Sequence, residues 1–337
     1  MTYRSAIARQ PDQFRHALEV VRPQLRKLDL SQFKNGTLVV TGIGASYEAA
    51  AVVTGELQRR GRRANTWRAV DLVEPGDPGD SIIVLSVGGR SVEPIAALNV
   101  HSQLPSLAIT NEGNDPLSRA ASTAIRYESG LDSLPSSTGF TGSLLAGGLL
   151  VDALGGGESF NWNDIPQIAS EVLKTSAKKM ARAGEIFRDQ RAIDCVGAIS
   201  AFGTAGEACL LIREAVRVPA GASDTLHYLH GPMESMDQAT GILIFGDGRE
   251  VRLAQELAEI GCAVLLVTAS ELPHDHKTLT VVKVPPLQNR VARAIVDILP
   301  AQLLAAELSD AAGLTDVPFR YSQTDTKVAM DETETQI

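Results

Sequence analysis

TLVVTGIGASYEAA, residues 37–50, is the stretch on which the fold turns. Its first half is apolar and β-branched, which suits a buried strand, and Gly42 and Gly44 supply the turn that ends it. Ser46 then opens a run of alanine and valine that reads as a helix to about Arg60. A strand passing straight into a helix is the building unit of a parallel α/β sheet.

Working outward, the same alternation persists. SIIVLSVGG (81–89) reads as a strand with a helix from Val92, PSLAIT and TAIRY as strands, and GFTGSLLAGGLLVDAL (139–154) as a buried helix. The Gly-rich segment GGGESFNWND (155–164) marks a boundary, and a polar helical stretch follows to about Arg191. The pattern then restarts: AIDCVGAISAF, GILIFGDG, AVLLVTAS and TLTVVKVP are strands, and a long apolar helix closes the series. Four identities share one offset, since 44 + 159 = 203, 89 + 159 = 248, 90 + 159 = 249 and 112 + 159 = 271 pair Gly with Gly, Gly with Gly, Arg with Arg and Glu with Glu. This predicts a duplicated α/β unit, each copy a three-layer sandwich around a parallel sheet of flavodoxin-like type. The expected division is a helical segment over 1–35, a first domain over 36–156, a connecting helix over 157–191, a second domain over 192–313 and a tail over 314–337.

The bulk numbers narrow the function. With 337 residues and 44% hydrophobic content the chain can build two cores, and a net charge of −9 argues against nucleic acid or an anionic membrane as partner. Cys195, Cys209 and Cys262 lie apart in apolar surroundings and read as reduced core thiols. The first residues carry no signal-peptide pattern, and no apolar run is long enough to span a bilayer, so a cytoplasmic protein is expected.

Three stretches of the first half suit an anion. Gly44 and Ser46 sit where a strand enters a helix, and a helix N-terminus favours negative charge. Ser86, Val87, Gly88, Gly89, Arg90 and Ser91 end a buried strand and open another helix, offering free backbone N–H groups, two hydroxyls and a guanidinium. Ser136, Ser137 and Thr138 precede an apolar helix, a place where hydroxyls also serve simply as caps. In the second half the equivalent loop is GDGRE, whose Asp247 and Glu250 would repel a phosphate. That half offers Glu214, set among apolar neighbours that would raise its pKa, and His230, in HYLHGP before a turn. Glu214 could equally be a surface carboxylate paired with Arg213 or Arg217. His227 with His230 lacks a third metal ligand, so no metal is expected, and HDH (274–276) reads as a solvated loop.

Taken together, these motifs resemble the tandem sugar isomerase (SIS) domains of the isomerase half of glucosamine-6-phosphate synthase and of stand-alone phosphosugar isomerases and deaminases. The family's GxGTSY appears as GIGASY, its SQSGET or SQSGRS as SVGGRS, its VASTKAFT as LPSSTGFT, its LKLKE as LLIRE, its ELKHGP as HYLHGP and its NLAKSVTVE as TDTKVAMDE. The family's spacing of sixteen residues between Glu and His is kept, as 230 − 214 = 16. The resemblance implies phosphate held by Ser46 and the 86–91 loop, a sugar contact at Ser136, Glu214 moving a proton between C1 and C2, His230 opening the ring, and Lys327 on a tail that closes the site. It also implies a homodimer in which His230 completes the partner's site, a small sugar-phosphate ligand, and no cofactor. Val87 and Gly88 replace Gln and Ser, removing an amide and a hydroxyl, and Leu211 replaces a lysine. No glutaminase domain precedes residue 36, so glutamine-dependent amination is not expected of this chain. The implied reaction is aldose–ketose isomerisation of a hexose phosphate or amino-hexose phosphate. A deaminase, a deglycase and a non-catalytic sugar-phosphate sensor are the rivals.

Overall fold

In the computed structural model, residues 1–271 and 276–329 are described. His274 and Asp275 of the HDH stretch, and the last residues of the tail motif, fall outside them. In chain order the elements are α1 (Tyr3–Lys27), β1 (Leu38–Gly42), α2 (Ala45–Arg59), β2 (Ala64–Arg68), β3 (Ser81–Ser86), α3 (Val92–Val100), β4 (Ser106–Thr110), α4 (Pro116–Ala120), β5 (Thr123–Arg126) and α5 (Thr138–Leu154). They continue with α6 (Ile165–Phe187), β6 (Ala192–Gly197), α7 (Ala201–Leu211), β7 (Ala220–Ser223), α8 (Thr225–Leu229), β8 (Thr240–Phe245), α9 (Arg249–Ile260), β9 (Ala263–Thr268), β10 (Leu279–Lys283) and α10 (Arg290–Ala311).

The strands form two five-stranded parallel sheets, ordered β2-β1-β3-β4-β5 and β10-β9-β8-β6-β7. Counted within each half, both read 2-1-3-4-5, the flavodoxin-like order, with helices on both faces. β1, β3, β4, β8 and β9 are buried along their whole length, which accounts for their continuous apolar runs. β2 and β7, the edge strands ANTWR and AGAS, carry no such run, and the sequence pattern did not reveal them.

α5 and α10 are apolar nearly all round and are buried accordingly. One contiguous core runs from α1 through α5, α6 and α10 into both sheets. α2 and α7 meet across the two halves because α7 presents glycines to α2. A Cβ at Gly203 would lie 2.5 Å from the Glu48 carbonyl, and one at Gly206 would strike the Glu48 carboxylate. Gly203 is therefore a helix-packing glycine, and its pairing with Gly44 at the 159-residue offset is corrected. Gly42 and Gly197 occupy the same place, each backed by the carbonyl of the residue four positions on, an offset of 197 − 42 = 155. The offset of 159 holds further along, where Ser86 and Phe245 end β3 and β8. A difference of four residues in the loops between absorbs the change.

No helix among the described residues is long and apolar enough to cross a membrane. All three cysteines are free and buried.

Candidate functional site

The site is built at the carboxyl ends of β1 and β3, the point where the strand order of the first sheet reverses. After β1, Gly44 takes φ 57° and caps α2 with no side chain. Ser46 lies within the first turn and is buried, so it is not the cap. After β3, Ser86 Oγ accepts the Gly89 N–H at 3.1 Å, and Gly89 has φ 58°. A Cβ at Gly89 would collide with the Asp115 carboxylate, and the Gly89 carbonyl accepts the Leu117 N–H at 2.9 Å. The loop is thus pinned from behind. Among the described residues, no acceptor takes the N–H of Gly88, Arg90 or Ser91. The backbone therefore keeps free donors although Val87 and Gly88 have lost the side-chain ones.

The 134–141 turn touches this loop. Gly139 sits between the two, where a Cβ would lie 2.7 Å from Ser136 Oγ and 2.8 Å from Val87 Cγ1. A residue that the sequence did not single out organises the turn. The Asp132 carboxylate accepts from Ser136 Oγ (2.8 Å), Ser137 Oγ (3.0 Å), Ser137 N–H (3.0 Å) and Gly139 N–H (2.8 Å). It satisfies the start of α5 and fixes both serines. An acid four residues ahead of a hydroxyl cluster was the available signal.

The tail ties this region to Glu214. Val328 N–H donates to the Arg90 carbonyl (2.9 Å), Val92 N–H to the Thr326 carbonyl (3.3 Å), and the Arg90 guanidinium to the Val328 carbonyl (2.9 and 2.6 Å). This antiparallel bridge sets Lys327, exposed, opposite Ser91. Upstream, Arg217 donates to the Pro318 carbonyl at 2.7 Å. Phe319, Arg320 and Tyr321 then line a cavity of about 420 Å³ together with Arg213, Glu214, Arg217, Val218 and Pro219. Six peptide units join Tyr321 to Lys327, so the cavity rim and the loop are at most about 20 Å apart along the chain.

Glu214 lies where α7 passes into a π-helical turn, Ile212–Val216, that ends on Arg217 in the left-handed region. Such turns are uncommon and often local to functional sites. The alternative of a surface ion pair is not what the structure holds: among the described residues Glu214 pairs with no cation, and burial raises its pKa. Glu207, seven residues earlier, is fully buried with Oε2 unpartnered. Burial, then Glu214, Glu48 and Asp132, push its pKa well up. Tyr3 at the start of α1 has a buried, unpartnered hydroxyl, its pKa raised by burial and by Glu207, Asp132 and Glu214. The starts of α1 and α5, α7 and the π turn therefore converge on one carboxyl-rich interior.

Glu48 belongs to the same interior, across from Glu207 and Cys209 of α7. Burial lifts its pKa from 4.5 to about 7. The folded state then binds this proton more tightly than the unfolded chain, so stability falls as pH rises from about 4.5 to above 7. At about 1.4 kcal/mol per pH unit over about 2.5 units the full loss is about 3.5 kcal/mol. Glu48→Gln is expected to flatten this part of the stability–pH curve in urea titrations and to stabilise the protein above pH 7; an unchanged slope would show that Glu48 is already ionised in the fold.

The second half fills its own equivalent loop. Asp247 is held by Arg293 (2.7 and 3.0 Å) and the Ala269 N–H (2.6 Å), and Glu250 accepts the Gly248 N–H (3.1 Å) and the Thr225 hydroxyl (2.7 Å). Ile199, in the place of Gly44, keeps the left-handed turn at φ 58°. His230 ends α8, its N–H on the His227 carbonyl, and is not among the residues lining the Glu214 cavity. His227 is largely exposed and faces Asp224 at 3.7 Å. Within one chain, then, the structure joins the 86–91 loop, Ser136 and Lys327, and links them to Glu214 through the tail; it does not bring His230 to them.

Solved structures share this architecture. The C-terminal domain of glucosamine-fructose-6-phosphate aminotransferase from Francisella tularensis superposes with a TM-score of 0.83 at 17% identity, over 94% of this chain and 97% of that one. The chain has their fold. Glucosamine-6-phosphate deaminase from Thermotoga maritima matches at 0.78 and 18% identity (95% and 98% covered), and tagatose-6-phosphate ketose/aldose isomerase from Escherichia coli at 0.76 and 18% (95% and 97%). No family model matches the chain, and neither does any curated protein. Each match spans at least 94% of this chain and 97% of the solved one.

Proposed function

We propose that the chain is a phosphosugar aldose–ketose isomerase that moves a proton between C1 and C2 of an open-chain hexose phosphate or amino-hexose phosphate. The observation that carries this reading is the tail, which lines the Glu214 cavity at Phe319–Tyr321 and pairs with the anion loop at Thr326–Val328. An anchor for the charged end and a desolvated carboxyl for the reacting end are thereby held on one strap.

In this reading the free N–H groups of Gly88, Arg90 and Ser91, with Ser46, Ser86 and the turn of Gly44, hold the phosphate. Ser136, oriented by Asp132, meets a sugar hydroxyl. Glu214 takes the C2 proton and returns it at C1 through an enediol, its raised pKa suiting it to both steps. Lys327 approaches from the tail and offsets the charge that develops on the enediol oxygen. His230 protonates the ring oxygen from a second copy, which makes a homodimer part of the proposal. Anchoring the far end of a flexible chain holds the reacting carbons in place.

The Glu214 carboxyl at the cavity favours a second reading, deamination of an amino-sugar phosphate, because its ionised form would stabilise a cationic amine. Hexose and amino-hexose phosphates incubated with the protein in deuterium oxide distinguish these. Isomerisation gives deuterium at C1 of the ketose and at C2 of the aldose without ammonia, and deamination gives ammonia. Saturable binding of these sugars with neither product would leave a sensor and end the enzymatic reading.

A further inference from the structure

A second cavity, of about 510 Å³, lies between α6 and β10, lined by Lys179, Arg182, His276, Lys277, Leu279, Thr280 and Val281. β10 is an edge strand, and the Glu214 cavity borders β7 at the other edge of the same sheet. Four strand spacings of about 4.8 Å separate the two edges, roughly 19 Å. This cavity is therefore apart from the site above.

Its chemistry is of one sign. Among the described residues, every ionisable residue lining it is basic, in a chain of net charge −9. Lys179 donates to the Val281 carbonyl at 2.9 Å, so its ammonium is held at the cavity by the strand edge. Arg182 and Lys277 have no carboxylate partner among the described residues. His276 Nδ1 is bonded to Thr278, and Nε2 has no partner among the described residues. The second observation is Thr280, which is 6% exposed, with a buried Oγ1 that has no hydrogen-bond partner. A buried hydroxyl without a partner costs about 1–3 kcal/mol, and an acceptor oxygen in the cavity would recover it.

We propose that this cavity is a second anion site, for a small phosphorylated or otherwise dianionic metabolite. A volume of about 510 Å³ suits a small molecule. The acidic remainder of the surface disfavours a nucleic acid or an anionic bilayer, which need an extended basic face. Converging ammonium, guanidinium and imidazole groups are the usual donors to phosphate. The proposal does not depend on the isomerase reading.

The test is calorimetric titration of the whole protein with pyrophosphate at fixed ionic strength, against Arg182→Glu/Lys277→Glu and Thr280→Val. Both basic residues are exposed, so the double variant keeps its fold, which melting curves check. The parent protein is expected to bind one pyrophosphate per chain at this cavity. The double variant should lose at least tenfold in affinity, and Thr280→Val several-fold, with sugar-phosphate binding unchanged in both. Ser91→Asp, which puts a carboxylate on the first-half loop, should abolish sugar-phosphate binding and leave the pyrophosphate titration intact. No saturable binding in the parent, or binding indifferent to the double reversal, would overturn the site and leave the basic residues as guards of an exposed strand edge.

Discussion

Glu214→Gln is expected to lower the rate of C2 proton exchange on the preferred hexose phosphate by about 10²- to 10⁴-fold, with little change in the affinity for that sugar. Gln keeps the length and shape of the side chain and removes only its ability to take a proton. The affinity holds because the 86–91 loop and the Ser136 turn make the binding contacts in the proposed site. The same substitution tests the rivals. A sensor would show no exchange in either form, and a base located elsewhere would leave the exchange rate unaltered. The pH profile adds a check: a raised Glu214 pKa places the acidic limb of exchange above the range of an ordinary glutamate.

The largest expected loss of stability comes from Arg293→Met. Arg293 Nε donates to Asp297 at 2.7 Å while its terminal nitrogens hold Asp247, and Asp297 is buried. Removing the cation leaves a buried carboxyl without its partner, typically at about 3–5 kcal/mol. The effect depends on pH. Burial already raises the pKa of Asp297, and loss of Arg293 raises it further. The variant therefore suffers most at pH 8, where Asp297 would have to ionise, and less near pH 5, where it carries a proton. Urea denaturation at both values measures this, and adding Asp297→Asn should recover stability at pH 8. Equal losses at the two values would mean that Asp297 is not the group left exposed to the penalty.

The sequence carried much of this architecture because buried parallel strands and all-apolar helices leave plain marks. SIIVLS, GILIF and AVLLV could be little else, and GFTGSLLAGGLLVDAL is apolar on every face. ANTWR and AGAS were missed for the same physical reason, since these two edge strands are buried too little to carry an apolar run. The site was legible where glycine and hydroxyl residues mark a turn, as at Ser86–Ser91. It was illegible where a residue acts through position alone. Asp132 shows in the sequence only as an acid ahead of a hydroxyl cluster, and its importance lies in the five donors of residues 136–139 that reach it only once α5 is in place. Glu207 reads as one polar residue in a hydrophobic helix; only the packing of α7 against α2 shows it shut in beside Glu214 and Glu48.

The core cluster shared by both sheets has a consequence for how the molecule could change over time. With α5 and α10 embedded together, neither half is a detachable module, and each relies on the other to shield its oily faces from water. The rims are under no such constraint. One rim could be locked by Arg293 and Asp247 while the other stayed open, because the shared scaffold tolerates either choice. Novelty in a molecule of this kind would arise at its loops and its trailing strap, with the paired interior passed on unaltered.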